Sequence, residues 1–263
     1  MPELGEVEIV RRNLEKWWVN QSAKQVVILD GDVFSSGQDR FETTMTQVAV
    51  KAGRRGKYLF VTFANANVIV FHFRMTGKIT LEATPDARFM RVAWQVDDGW
   101  LSFKDARRLG HIDVFSAEEF ENYQPIAKMG PEPFDITGAQ LKERAGRRIL
   151  KSALMDQSVI AGVGNIAVSE VFWRLRLAPD IMAAQLTEIQ WDELASGISD
   201  FFSEVIEVDE ADEIEYVNQG GPNTFDVYGR LGEPCPRCKT IIARQKIGGR
   251  SSYYCPTCQS AAA

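Results

Sequence analysis

The four cysteines constrain this chain more than any other feature. They stand as Cys235-Pro236-Arg237-Cys238, then sixteen residues, then Cys255-Pro256-Thr257-Cys258, and the 263 residues contain no others. A C-x2-C pair grips a metal ion from one tight turn, and two such pairs about 15–20 residues apart make a closed tetrahedral site of four thiolates. The competing reading is two disulfides or four free thiols. Met1 is followed by charged residues with no apolar signal segment, and no run approaches the roughly 18 apolar residues of a membrane span. A reducing cytoplasm is therefore expected, where disulfides are rare. The spacing predicts one zinc ion held by Cys235, Cys238, Cys255 and Cys258. A closed ligand set leaves no position for water, so the zinc is expected to be structural rather than catalytic.

Charge is distributed unevenly. The formal net charge of −6 taken as an average argues against a polyanionic partner. From Gly229 onward, however, Arg230, Arg237, Lys239, Arg244, Lys246 and Arg250 face a single acid, Glu233, so this tail carries +5 and the residues before it −11. The split suggests a basic face on an acidic body, though a metal module made soluble by its basic residues explains it equally well.

Hydrophobic periodicity divides the rest. Val7, Val10, Leu14, Trp17 and Trp18 recur at helical spacing from Glu3 to Trp18. Between Lys24 and Phe115, short β-branched and aromatic runs (Gln25–Leu29, Tyr58–Phe63, Val68–Phe73, Lys78–Leu81, Val92–Val96, Trp100–Phe103) predict a β-sandwich or barrel. Gly130-Pro131-Glu132-Pro133 reads as a linker, and helical patterns follow at Gly138–Ala145, Arg148–Met155, Ile166–Arg174 and Thr187–Val208. The hydrophilic stretch Asp209 to Phe225 reads as a long loop. The expected class is α+β multidomain: an N-terminal helix plus β-sandwich (1–129), a helical domain (130–228) and a four-cysteine zinc-finger hairpin (229–263).

Several short motifs could carry chemistry, each beside a plainer explanation. Removal of Met1 would leave Pro2 as a secondary amine. An α-amino group has a pKa near ~8, so a useful fraction attacks aldehydes at neutral pH, and Glu3 and Glu6 would lie within a turn to move protons. The plainer account is proline at the first helical position with glutamates in the first turn. Gly53-Arg54-Arg55-Gly56-Lys57-Tyr58 reads as a tight cationic turn, either a phosphate grip or a solvated hairpin. Asp105-Ala106-Arg107-Arg108-Leu109-Gly110 reads as a wedge for a base stack or an ordinary surface turn. Gly162-Val163-Gly164-Asn165-Ile166 opens a helix where backbone amides can meet phosphate, though a plain helix connection explains it too. His72, inside an apolar run, is expected to be a satisfied core residue. No dinucleotide or nucleoside-triphosphate fingerprint is present.

Taken in order, these pieces resemble the formamidopyrimidine-DNA glycosylase / endonuclease VIII family over nearly the whole chain, closer to the formamidopyrimidine branch. The match runs from Pro2-Glu3-Leu4 through Gly56-Lys57-Tyr58, His72-Phe73-Arg74-Met75-Thr76-Gly77, Asp105-Ala106-Arg107-Arg108, Gly130-Pro131-Glu132-Pro133, Leu154-Met155-Asp156-Gln157 and Gly162–Ile166. It ends in Val227-Tyr228-Gly229-Arg230 and the finger. The resemblance implies a bifunctional glycosylase and AP lyase of base-excision repair that acts on double-stranded damaged DNA as a monomer without a membrane. Oxidised purines such as 8-oxoguanine and formamidopyrimidine are its expected lesions. The alternatives are an oxidised-pyrimidine-preferring relative or a non-catalytic damaged-DNA binder. It implies Pro2 as Schiff-base nucleophile, Glu3 as general acid, Lys57 on phosphate and in β-elimination, and Arg250 on phosphate and in δ-elimination. Met75 and Arg107 would fill the gap left by an extruded base, and Leu109 stands where relatives carry a phenylalanine wedge. Asn165 would hold phosphate in a helix–two-turn–helix motif, Lys151 would lie near the lesion, and Arg88 and Arg147 would contact DNA. Departures are Gly5 and Ala106 for proline, and Arg88 for histidine. Residues 209–225 would correspond to a lesion-capping loop.

Overall fold

The computed structural model describes residues 2–208 and 223–260. Among them the elements are α1 (Leu4–Trp17), β1 (Val26–Ile28), β2 (Phe34–Ser36), α2 (Gln38–Met45), β3 (Ala49–Arg55), β4 (Tyr58–Phe63), β5 (Val68–His72), β6 (Gly77–Glu82), β7 (Met90–Val96), β8 (Gly99–Asp105), β9 (His111–Phe115), α3 (Ala117–Glu121), α4 (Gln124–Ala127), α5 (Gly138–Ala145), α6 (Leu150–Leu154), α7 (Asn165–Arg174), α8 (Glu188–Val208), β10 (Ala243–Ile247) and β11 (Arg250–Tyr254). The chain forms two compact units, one holding residues up to Ala127 together with the segment from Ile206, the other holding Lys128–Val205 and the chain from Asn223. No helix among the described residues is long and apolar enough to cross a membrane.

The first unit is a β-sandwich. One sheet has the order β1-β7-β8-β6 and the other β2-β9-β5-β4-β3, with every pairing antiparallel except β2 with β9. Alternation builds it: along β4, Leu59, Val61 and Phe63 are buried while Tyr58, Phe60 and Thr62 are half-exposed. The inner faces meet in a core around Phe71, Trp94 and Phe103, which α1 completes with Val7, Val10, Leu14 and Trp17, followed by Trp18. Trp18 packs 4.8 Å from Trp94 and 5.4 Å from Phe63, centroid to centroid.

The second unit is helical and ends in the hairpin β10–β11, whose strands pair antiparallel from Ala243↔Tyr254 to Ile247↔Arg250. α5 is capped by Thr137, whose hydroxyl accepts the Gln140 N–H at 3.3 Å while the Gln140 side chain accepts the Thr137 N–H at 3.0 Å. The Gln157 amide bridges the turns between α6 and α7. Its Oε1 accepts the Gly162 N–H at 2.9 Å and its Nε2 donates to the Val163 carbonyl at 3.0 Å.

Two expectations about the elements change. Gly53–Arg55 belong to β3, so only Gly56 and Lys57 turn. The helix read over Arg148–Met155 is the short α6, and Arg148 instead pairs with Asp156. β9, β2 and α2 had no expectation. Most of the loop read over 209–225 lies outside the described residues.

Candidate nucleic-acid-processing site

In the first unit the chain start is fixed by a reciprocal cap. Glu3 is the N-cap of α1: its backbone N–H donates to Glu6 Oε2 at 3.0 Å, and its side chain accepts the Glu6 N–H. Pro2 therefore lies outside the helix rather than at its first position, which removes the plainest explanation for a proline there. Pro2 and Glu3 are both buried. Packing, and then the adjacent Glu3 carboxylate, push the Glu6 carboxyl above its usual range.

Lys57 sits on the β3–β4 turn, only 8 % exposed. Arg55 pairs with Tyr58 across a two-residue turn whose first member, Gly56, has φ +54°, the glycine-first pattern of a type II′ turn. A strap ties this turn to α1. Arg54 donates to Glu8 Oε2 at 3.2 Å and to the Gly56 carbonyl at 3.2 Å, and Glu8 also binds Arg11 at 3.0 Å.

Met75 and the Arg107–Leu109 loop come together through one carboxylate. Buried Asp105 accepts the Thr76 hydroxyl and the backbone N–H groups of Arg107 at 3.1 Å, Leu109 at 2.7 Å and Gly110 at 2.6 Å. The Thr76 hydroxyl in turn accepts the Arg107 N–H at 3.1 Å. Arg107 and Leu109 are exposed and Met75 half-buried. Arg88 is exposed over the Phe89 ring, 5.0 Å from its centroid. His72 is half-buried rather than in the core. It stacks in parallel on His111 with centroids 5.3 Å apart and accepts the Arg74 N–H at 3.1 Å. Burial first, then Arg74, His111 and Lys57, lower its pKa to about 3, so it is neutral at physiological pH.

In the second unit, Asn165 opens α7 after Gly162 (φ +80°) and extended Gly164. Its Nδ2 donates to the Ser251 carbonyl at 2.9 Å, and buried Lys151 reaches the same oxygen at 3.4 Å. Ser251 follows Arg250, so both side chains hold the strand just past the exposed arginine. Arg250 itself lines a cleft of about 320 Å³ with Lys151, Met155 and Asp156. Arg147 is exposed beyond α5.

The four thiols converge, with all sulfurs within 4.8 Å of one another. Edges of a tetrahedral zinc–thiolate cage are about 3.8 Å for bonds of ~2.3 Å, so the donor set fits that ion. Trp173 Nε1 donates to Cys235 Sγ at 3.4 Å, a partner for a metal-bound sulfur.

Three family models match in order: the formamidopyrimidine-DNA glycosylase N-terminal domain over residues 1–112, its H2TH domain over 129–215, and the zinc finger found in FPG and IleRS over 232–261. A formamidopyrimidine-DNA glycosylase of Pelotomaculum thermopropionicum is 36 % identical, with 98 % of this chain and 99 % of that one covered.

The chain belongs to the formamidopyrimidine-DNA glycosylase family.

Solved structures from the family superpose closely. MutM in complex with DNA containing carbocyclic 8-oxo-G has a TM-score of 0.86 at 30 % identity, covering 99 % of this chain and 100 % of that one. The Lactococcus lactis glycosylase with Fapy-dG-containing DNA has a TM-score of 0.86 at 30 % identity, covering 98 % and 100 %. The finger of this family member holds a structural zinc.

Three positioning groups of this glycosylase-family chain escaped sequence reading. Asp105 stands in the sequence as part of a turn, and an aspartate ahead of a tight turn is itself a signal for backbone capping. The Glu8–Arg54 strap joins residues far apart in sequence. Glu170, 1 % exposed in α7, accepts the backbone N–H groups of Asp226, Val227 and Tyr228 at 2.8–3.0 Å, and nothing in its local sequence announces this.

Proposed function

We propose that this chain is a DNA glycosylase and AP lyase of base-excision repair that removes oxidised bases through Pro2. The single observation that carries the reading is the chain start: a proline placed ahead of α1 rather than in it, beside two glutamates joined by a reciprocal cap. The family relatives solved with 8-oxo-G and Fapy-dG DNA support oxidised purines as its lesions and duplex DNA as its partner. The organisation that goes with it is a catalytic β-sandwich domain at 1–129, a helical domain at 130–228 and the finger at 229–263.

Once Met1 is removed, the Pro2 nitrogen attacks C1′ of the extruded nucleotide and the C1′–base bond breaks with its electron pair leaving on the base; Glu3 then gives a proton to O4′ as the C1′–O4′ bond opens, and the C1′ iminium so formed acidifies the neighbouring C2′ proton. Glu3 and Glu6 divide the proton work. A carboxyl held above its usual range, as Glu6 is, accepts and returns protons nearer neutral pH than a free carboxylate does. Lys57 stabilises the phosphate that departs on one side and Arg250 the other, leaving a one-nucleotide gap. Arg88, Arg147 and Asn165 grip the backbone and Lys151 lies near the lesion, while Met75, Arg107 and Leu109 fill the space left by the base. Zinc keeps the finger folded, and a cytoplasmic setting keeps its thiols reduced.

Borohydride reduction tests the nucleophile. Duplexes carrying 8-oxoguanine, formamidopyrimidine, dihydrothymine or an abasic site should each be challenged, and the trapped peptide mapped by mass spectrometry. Adducts should form on Pro2, most readily on oxidised purines and abasic DNA. Equal trapping by a protein whose N-terminus is blocked would remove Pro2 from the role. Trapping on no duplex, with retained binding, would leave a damaged-DNA binder.

A further inference from the structure

The paired arginines of the β8–β9 loop are not equivalent. Resting on the DNA-binding reading above, we propose that Arg108 is the anchor of this loop rather than one of its phosphate contacts, and that Asp30 is the residue that positions it. Arg108 adopts a left-handed backbone (φ +55°), which a side-chain-bearing residue keeps only when contacts hold it there. Its guanidinium meets the Asp30 carboxylate, and Asp32 Oδ2 lies 3.6 Å away. Asp30 is itself fixed. It accepts the Asp32 N–H at 3.1 Å and pairs at 2.8 Å with Arg91, which is 4 % exposed. The N–H groups of Leu29 and Asp30 donate to the Arg91 carbonyl at 2.9 and 3.2 Å, which straps this segment to β7. The loop is thus held from two sides, by Asp105 through its backbone and by Asp30 through Arg108.

Arg107 differs. It is exposed, and among the described residues its guanidinium has no carboxylate partner. A cation already balanced by two carboxylates must leave both to reach a phosphate, so it adds little to counterion release, whereas an open side chain is ready to enter the gap left by the base. Anchoring Arg108 therefore presents Arg107 and Leu109, its two neighbours, to the duplex.

The test is binding to a duplex with a tetrahydrofuran abasic analogue, read by fluorescence anisotropy across a salt series. Arg108→Gln should weaken binding roughly threefold, the scale of a partly exposed ion pair, and leave the slope of log K against log salt unchanged. Arg108→Lys should restore most of the loss. Asp30→Asn should weaken binding similarly, and Asp30→Asn/Arg108→Gln should be no weaker than either alone. Arg107→Gln, at the side chain that enters the gap, should weaken binding by more than the threefold of Arg108→Gln. A slope lowered by about 0.9 in Arg108→Gln, or tighter binding in Asp30→Asn or Asp32→Asn, overturns the anchor. Asp32→Asn leaves the Arg91 pair intact, so this arm stands even where Asp30→Asn fails to fold. Absence of abasic-duplex binding by the unaltered protein would instead overturn the DNA-binding reading.

Discussion

Two hairpins of this molecule each deliver one cation, Lys57 from β3–β4 and Arg250 from β10–β11, and they are held by opposite means. The first belongs to a sandwich whose core runs from Val7 to Val114, and its turn needs only one glycine. The second rests on a cluster of five buried residues, Trp173, Val227, Cys235, Ile242 and Cys255, two of which are zinc ligands. Its turn uses two left-handed glycines, Gly248 (φ +55°) and Gly249 (φ +80°), the pattern of a type I′ turn. Apolar burial in so small a module cannot hold it alone. Where the core is large, hydrogen-bonded straps such as Glu8–Arg54 fine-tune a turn that already exists. In the finger, the metal decides whether a turn exists at all.

The largest effect should come from the metal. Structural zinc contributes roughly 10–16 kcal/mol in finger peptides, so Cys255→Ser should abolish zinc content, DNA binding and strand cleavage while the sandwich still melts cooperatively in calorimetry. A zinc-free Cys255→Ser protein that still cut abasic DNA would break the comparison.

Next are the cations themselves. Lys57→Ala should slow strand cleavage by about 10²-fold, within the range for a positioned proton-transfer or charge-stabilising group. Arg250→Ala should let the first elimination proceed and stall the second. Denaturing gels separate these outcomes, because the two products end in different groups. An identical product distribution from both variants would show that the two hairpins do not serve opposite sides of the sugar.

The smallest is the strap. Burial alone would raise the Glu8 pKa, but hydrogen bonds and charge from Arg11, then Arg54, outweigh it and leave it below its ordinary 4.5. A lowered folded pKa stabilises above the unfolded value and loses that stability as pH falls through the folded one. The gain is therefore complete near neutrality and fades below about pH 4.5. Glu8→Gln should cost about 1–2 kcal/mol at pH 7, and the difference from the unaltered protein should shrink in urea melts at lower pH.

What the sequence made legible follows range. β4 was readable because its side chains alternate and burial on one face imprints a period, and β5 because its four buried residues make one continuous β-branched and aromatic run. α2 was not, since only Phe41, Thr44 and Met45 are buried, too few to show a helical stripe. β3 was partly hidden because Val48, just before it, and Val50, inside it, are exposed and its end is basic, so its last residues looked like turn. Local site motifs were legible for the same reason: Pro2-Glu3, Gly56-Lys57 and the cysteine pairs are contiguous. The groups that position them were not. Asp105 and Glu170 act by accepting backbone N–H bonds, which any residue supplies, and so leave no complementary letter elsewhere in the chain.

Glu170 carries one more consequence. Because its carboxylate clasps the N–H groups of residues 226–228 from within α7, the chain is re-registered there before it enters the finger. Length changes upstream of Asn223 would be absorbed before reaching Arg250. That makes the clasp a mechanical isolator: the region before it is free to diversify, or to accept a grafted reporter, without detuning the hairpin beyond it.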